Sequence, residues 1–171
     1  MKERKVDLFE TILEDGVDSI CITTNGQIDS SGRACMYGGC AKVCADRWPE
    51  TSLRLGKCLK NFNLNVPYVI GAVDKDGNYL EPNLKIIKDK KYKSLILSFP
   101  TINKMLDGAN LDLIKESAKE IRALADRFNL NGIVSGRAGC GIGSLEWGTV
   151  KPVIEEFFDD RFTIVSFEDE E

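Results

Sequence analysis

The sequence predicts an α/β fold in which helices cover a central, largely parallel sheet, and three observations carry that prediction. Short runs of near-continuous apolar and β-branched residues recur along the 171-residue chain, the pattern of strands buried on both faces. Stretches with helical spacing of apolar residues stand between them, an alternation that produces layered α/β domains. Two glycine-rich loops, 25–39 and 136–148, each follow an apolar run and precede a helix. Ligands in such sheets sit there, beyond the carboxyl ends of the strands.

Taken in order, Val6 to Leu13 reads as an edge strand that ends at Asp15-Gly16. Residues 17–24, VDSICITT, form the first buried strand. The polar first loop follows, and then a helix from about Cys40 to Arg47, stopped near Trp48-Pro49. A second helix spans Thr51 to Asn61: Leu53, Gly56, Leu59 and Lys60 follow helical spacing, and Leu55 and Phe62 extend the apolar side. YVIGAV (68–73) is a strand closed by the turn Asp74–Asn78, and SLILSFP (94–100) is the third buried strand. Residues 110–128 carry the strongest helical pattern. Asn110 is the N-cap, and Leu113, Ile114, Ala118, Ile121, Leu124, Ala125 and Phe128 make the apolar stripe. A strand at 132–135, the second glycine loop, a helix at 149–158 and a closing strand, RFTIVSF, complete the chain.

Composition narrows the function classes. A chain of this length is expected to form one domain, 1–171, with a short solvated acidic tail at about 168–171. The net charge is −4, and no Lys/Arg-rich tract stands out, which argues against a nonspecific grip on duplex nucleic acid. No segment reaches the ~20 apolar residues of a membrane span, and Met1–Lys5 leads into no signal-like stretch. A cytoplasmic protein without a membrane partner is expected. The six cysteines (Cys21, Cys35, Cys40, Cys44, Cys58, Cys140) include no C-x-x-C pair, and the chain has no histidine to complete a mixed zinc site. They are expected to be reduced and to act as small apolar packers, with no resident metal or cofactor. The lack of histidine also removes the commonest general base and the Ser-His and Cys-His pairs.

The second loop, SGRAGCGIGSLEW (135–147), places Gly136, Gly139, Gly141 and Gly143 within eight positions. Glycine serves where φ must be positive or where another group must approach the backbone closely. Successive N–H groups in a tight glycine turn form an anion-binding concavity, and a helix N-terminus behind it adds about half a positive charge. GCGIGS therefore fits a phosphate or diphosphate. It is not Walker A, because no Gly-Lys-Ser/Thr follows, nor the dinucleotide fingerprint, because Ser144 stands where glycine is required. The competing reading is a turn whose glycines only connect strand to helix. In the first loop, Asn25 ends a strand, where its amide either bonds a ligand hydroxyl or caps its own turn. Gly38 and Gly39 precede the helix near Cys40, a second helix N-terminus facing the same crevice. Asp18 begins the strand, where its carboxylate either accepts from an exocyclic amine or faces solvent in a turn.

Together these residues resemble the macro domain family of ADP-ribose binders. DSICITTNG is similar to the family's D-x-I-V-N-x-x-N strand and loop. ACMYGGCAKVCADRWP resembles its M-G-x-G-x-A helix start, and RAGCGIGSLEWGTVKP the R-x-G-C-G-x-G-x-L-x-W-x-x-V-K-P form of the diphosphate loop. The match spans about residues 17–50 and 94–167, and its third motif is the most specific. The resemblance implies a three-layer α/β/α sandwich with a mixed sheet and a crevice for ADP-ribose. Carried over, Asp18 contacts the adenine amine and Asn25 the distal ribose, while Gly38 and Gly39 let the backbone meet the distal ribose and phosphate. Gly139, Gly141 and Gly143 wrap the diphosphate, and Phe167 stacks on adenine. Ser19 and Ile20 beside Asp18, Cys40 beside Gly39, and Arg137, Cys140 and Ile142 in the second loop complete the implied ligand set.

Two departures bear on chemistry. The related hydrolase branch has a lysine after the first loop, where Ala45-Asp46-Arg47 stands here, and an aspartate in the second loop, where Gly143 stands. The remaining candidate catalytic group is Asn25, with Asp29 and Asp46 as candidate water activators. Tyr37 replaces a glycine of the family pattern and narrows or reshapes the distal-ribose side. The resemblance leaves two functions open. One is hydrolysis of ADP-ribose conjugates, on protein or nucleic acid, or of ADP-ribose 1″-phosphate. The other is non-catalytic binding that sequesters an ADP-ribose-type nucleotide.

Overall fold

The computed structural model describes residues 1–167; the expected acidic tail at 168–171 lies outside the described residues. The strands are β1 (Lys2–Lys5), β2 (Ser19–Asn25), β3 (Val69–Val73), β4 (Tyr79–Leu80), β5 (Ser94–Ile102), β6 (Ile133–Gly136) and β7 (Phe162–Ser166). The α-helices are α1 (Gly39–Arg47), α2 (Glu50–Phe62), α3 (Leu84–Lys88), α4 (Leu111–Phe128) and α5 (Trp147–Glu155). One sheet runs in the order β1-β7-β6-β2-β5-β3-β4. The pairs from β1 through β5 are parallel, and β3 and β4 add an antiparallel edge. The sheet is therefore mixed, and "largely parallel" holds for five of its seven strands.

Strand period builds the three layers. Along β5, Leu95, Leu97 and Phe99 enter one core while Ile96 enters the other, because successive side chains of a strand alternate faces. Along β2, Cys21 faces the first core, and Ile20 and Ile22 face the second. The first core is closed by α4 and α5 through Ile114, Ala118, Ile121, Val150 and Ile154. The second is closed by α1 and α2 through Ala41, Cys44, Leu55 and Leu59. The α4 stripe buries Ile114, Ala118, Ile121 and Ala125, and Asn110 caps the helix by accepting from Leu113 N at 3.0 Å. All six cysteines are free thiols, and burial pushes Cys21 upward and Cys44 up to about 12, so these two are inert packers. No helix among the described residues is long and apolar enough to cross a membrane.

Two local expectations are corrected, and two short elements are added to them. Val6 to Leu13 is not an edge strand: β1 holds that edge, and Leu8–Thr11 is a short 3₁₀ helix. Asp7 caps it, its Oδ1 accepting from Phe9 N at 2.8 Å, and Leu8 and Ile12, four apart, enter the same core as a helical turn requires. The two-residue β4 and the five-residue α3 fall where no strong pattern stands. Asn83 starts α3 by accepting from Ile86 N at 2.9 Å, a local cap that a five-residue helix needs. The helix expected at 149–158 begins at Trp147 and ends at Glu155.

Candidate functional site

The carboxyl ends of β2, β5, β6 and β7 open into a cavity of about 680 Å³, within the range of small-molecule sites. Both glycine loops line it. Thr23–Asn25 and Thr101–Ile102 form part of its floor, and Gly136 and Val165–Ser166 continue it across the sheet.

The first loop is tied by its own side chains. Asn25 Nδ2 donates to the Cys35 carbonyl at 2.9 Å, and Asn25 Oδ1 accepts from Gln27 N at 2.9 Å. Gln27 Oε1 in turn accepts from Met105 N at 3.0 Å, joining this loop to the one after β5. Asp29 Oδ1 accepts from Ser31 N (2.8 Å), Ser31 Oγ (2.6 Å) and Arg33 N (3.1 Å), and Asp29 Oδ2 accepts from Tyr37 Oη at 2.9 Å. These bonds, the Ser31 hydroxyl foremost, hold the Asp29 carboxyl at about 2; the bond to Asp29 pushes the Tyr37 phenol up to about 12. Gly38 is the N-cap of α1 and offers no side chain to its first N–H groups, while Gly39 takes φ +57°. Cys40 Sγ lies 3.1 Å from Thr23 Oγ1.

The second loop folds on itself. Leu145 N donates to Gly139 O at 2.9 Å and Ser144 N to Gly141 O at 3.0 Å, with Gly139 at φ +74° and Ser144 at +64°. Among the described residues, the N–H groups of Gly141, Ile142 and Gly143 make no hydrogen bond. All three residues line the cavity. Ile142, 69% exposed, reaches across to the first loop: its Cδ1 lies 2.6 Å from where a Gly38 Cβ would stand. Arg137 lines the cavity with its guanidinium 5.4 Å from the Trp147 ring centroid.

Of the expected site residues, Asn25, Gly38, Gly39, Cys40, Arg137, Gly139, Gly141, Ile142, Gly143 and Phe167 line this cavity. Asp18, Ser19 and Ile20 do not. They lie at the amino end of β2, about 20 Å from Asn25 along an extended strand. Asp18 instead accepts from Asn131 N (2.8 Å) and Gly132 N (3.2 Å), fixing the entry to β6, and Ser19 and Ile20 are fully buried. Cys140 also lies off the cavity wall, packed against the first core with its thiol donating to Ala138 O at 3.4 Å. Asp29 and Asp46 do not line the cavity either; Asp46 pairs with Lys42 at 2.6 Å.

The cavity extends to residues that the sequence reading missed. Val43 and Arg47 continue its wall about 6 and 12 Å along α1 from Gly39, and Val6, Asp7, Leu8 and Phe9 line it too. Arg47 lies 5.3 Å from the Phe9 centroid and 5.5 Å from that of Trp48. The register Lys5↔Ser166 sets Phe167 beside Val6 at this same end. Asp7 is the carboxylate among the lining residues. The missed signal was strand direction: an aspartate that enters a parallel strand lies at the end opposite the ligand edge.

No protein-family model matches the sequence, and no curated protein does. Solved structures match it in fold. The macrodomain of Thermus aquaticus DarG superposes with a TM-score of 0.68 at 18% identity, over 98% of this chain and 97% of that one. The macrodomain of Mycobacterium tuberculosis DarG gives 0.68 at 19% identity, over 96% and 95%. Thermosipho africanus DarTG, solved in complex with ADP-ribose, gives 0.67 at 16% identity, over 90% of this chain; the match spans 39% of that longer chain. The chain has the macrodomain fold.

Proposed function

We propose that this cavity binds ADP-ribose or a close derivative of it. The observation that carries the reading is the row of three successive N–H groups, Gly141 to Gly143, which find no acceptor among the described residues and belong to residues that line the cavity. Such a row is a concavity for an anion, and a diphosphate supplies acceptors at that spacing. The cavity's lining also takes in Phe9 and Phe167 and, from the first loop, Asn25, Gly38 and Gly39, which gives a ligand with a group on each side of a diphosphate more than the cradle to bind. Toward Asp7, Phe9 and Phe167 it offers apolar walls, the Asp7 carboxylate and the Arg47 guanidinium, which suit a purine with an exocyclic amine. Toward Asn25, Gly38 and Gly39 it offers backbone and amide groups, which suit a sugar. The adenine-reading role moves from Asp18 to Asp7. The Thermosipho complex with ADP-ribose supports the same ligand by likeness of fold.

Binding without turnover is the better supported of the two functions. The Asn25 amide is held at both ends within its loop and keeps one N–H and one lone pair for a ligand hydroxyl, Asp29 is committed to four donors, and Asp46 pairs with Lys42. None of the three stands ready to activate water. Calorimetry with ADP-ribose tests the reading, and binding is the expected result. Incubation with ADP-ribosylated protein, ADP-ribosylated DNA and ADP-ribose 1″-phosphate, scored for released product, then separates a sequestering domain from a hydrolase. Release of ADP-ribose or phosphate at a catalytic rate would favour the hydrolase.

A further inference from the structure

We propose that Tyr37, fixed by Asp29, is a specificity-determining residue that covers the terminal sugar, so that the cavity discriminates ADP-ribose from nucleotides ending at the diphosphate. This rests on the ADP-ribose reading above. Tyr37 lines the cavity immediately before Gly38 and Gly39, the pair that begins α1, yet its side chain is 56% exposed. A large exposed aromatic ring at a cavity rim either wanders or is held. This one is held: its hydroxyl donates to Asp29 Oδ2 at 2.9 Å.

The anchor is itself rigid. Asp29 Oδ1 takes three donors from Ser31 and Arg33, and Asp29 N donates to Arg33 O at 2.8 Å, closing a tight turn. The bridge between Ile28 and Ala34 ties that turn to the base of the loop. Ile142, from the second loop, reaches over Gly38, and Met105, its N–H held by Gln27 Oε1, also lines the cavity. Tyr37, Ile142 and Met105 thus give apolar lining to the same cavity whose floor includes Asn25, with Gly38 and Gly39 next to Tyr37 in the chain. A sugar presents a polar edge and an apolar C–H face. The floor suits the edge, and a ring held in place excludes water from the face without an ordering cost at binding. The structure gives Asp29 this positioning task in place of water activation.

The test is calorimetry of the full chain with ADP-ribose and with ADP, in the wild type, Tyr37→Ala, Tyr37→Phe and Asp29→Asn, with the melting temperature of each variant recorded. The wild type should prefer ADP-ribose. Loss of the ring in Tyr37→Ala should weaken ADP-ribose about five- to tenfold, the worth of one aromatic contact, and leave ADP unchanged. Tyr37→Phe keeps the ring and loses its anchor, and Asp29→Asn exchanges a charge-assisted bond for a neutral one, so Tyr37→Phe should fall between wild type and Tyr37→Ala for ADP-ribose alone and Asp29→Asn should lose no more than Tyr37→Phe. An equal loss for both ligands, or no loss in Tyr37→Ala, would overturn the assignment while leaving the cavity's function in place. A wild type that binds neither nucleotide would overturn both.

Discussion

The two glycine loops meet over one cavity, but they rest on different supports. The first, 25–39, is stiffened by side chains: Asn25, Gln27, Asp29 and Tyr37 each bond within it or to its neighbour. The second, 136–148, has short-range side-chain bonds, from Cys140 Sγ to Ala138 O at 3.4 Å and from Ser144 Oγ to Ile142 O at 3.3 Å, and its shape also comes from glycines of two kinds. A Cβ on Gly143 would stand 2.6 Å from Ala109 Cβ and 2.7 Å from Gly139 O, and one on Gly139 would stand 2.7 Å from Ile114 Cδ1. Gly143 is required by its packing against backbone, and Gly139 by its φ of +74°. A Cβ on Gly141 would meet nothing within 4 Å among the described residues, and its φ is not in the left-handed region. Residues of one type in one motif therefore answer to different constraints. The fold needs Gly139 and Gly143, and the space above Gly141 is left for something else.

Substitution breaks that comparison at its strongest point first. Gly143→Ala drives a methyl group into backbone, and the stability loss should be about 2–3 kcal/mol, read from denaturant unfolding. Gly141→Ala, two residues away, should stay within about 0.5 kcal/mol of wild type. Equal losses at the two positions would mean that the loop is uniformly packed, and the distinction would fail.

A second contrast sets Asp7 against Asp18. Asp7→Asn keeps an oxygen to cap Phe9 N but replaces the acceptor with a donor. It should weaken adenine-containing ligands by about 1–2 kcal/mol and leave ribose 5-phosphate nearly unaffected. Asp18→Asn should change unfolding by about 1 kcal/mol, through the Asn131 and Gly132 N–H groups, without altering the affinity of folded protein. Loss of adenine affinity in the Asp18 variant alone would return the role to that residue.

The sequence made the layers legible where pattern and burial coincide. β2 and β5 are apolar on both faces because helices cover both, so they stand out as continuous runs. α4 announces itself by an eighteen-residue stripe and a cap. The second loop was legible because four glycines between a strand and a helix are costly to order without a purpose. What escaped was decided beyond local range. β4 and α3 are too short to show a period. Val6-Asp7-Leu8 and Val17-Asp18-Ser19 look alike as text, an aspartate entering an apolar run. Only the sheet's direction and the 3₁₀ turn place the first at the cavity and the second at the far end. The burden on each glycine was equally invisible, since it depends on Ala109 and Ile114 from another part of the chain.

The most direct test is a titration of ADP-ribose into Gly141→Glu alongside wild type, with the melting temperature of each measured with and without ligand. The open space above Gly141 accommodates the new side chain, so the unliganded melting temperatures should agree. Wild type at a ligand concentration 100 times its Kd should gain about 2.7 kcal/mol of stability. The variant places bulk and a negative charge beside the three N–H groups, and it should show neither a calorimetric signal nor a melting shift. A folded Gly141→Glu protein that binds ADP-ribose with wild-type affinity would contradict the cradle, and with it the account of what the second loop is for.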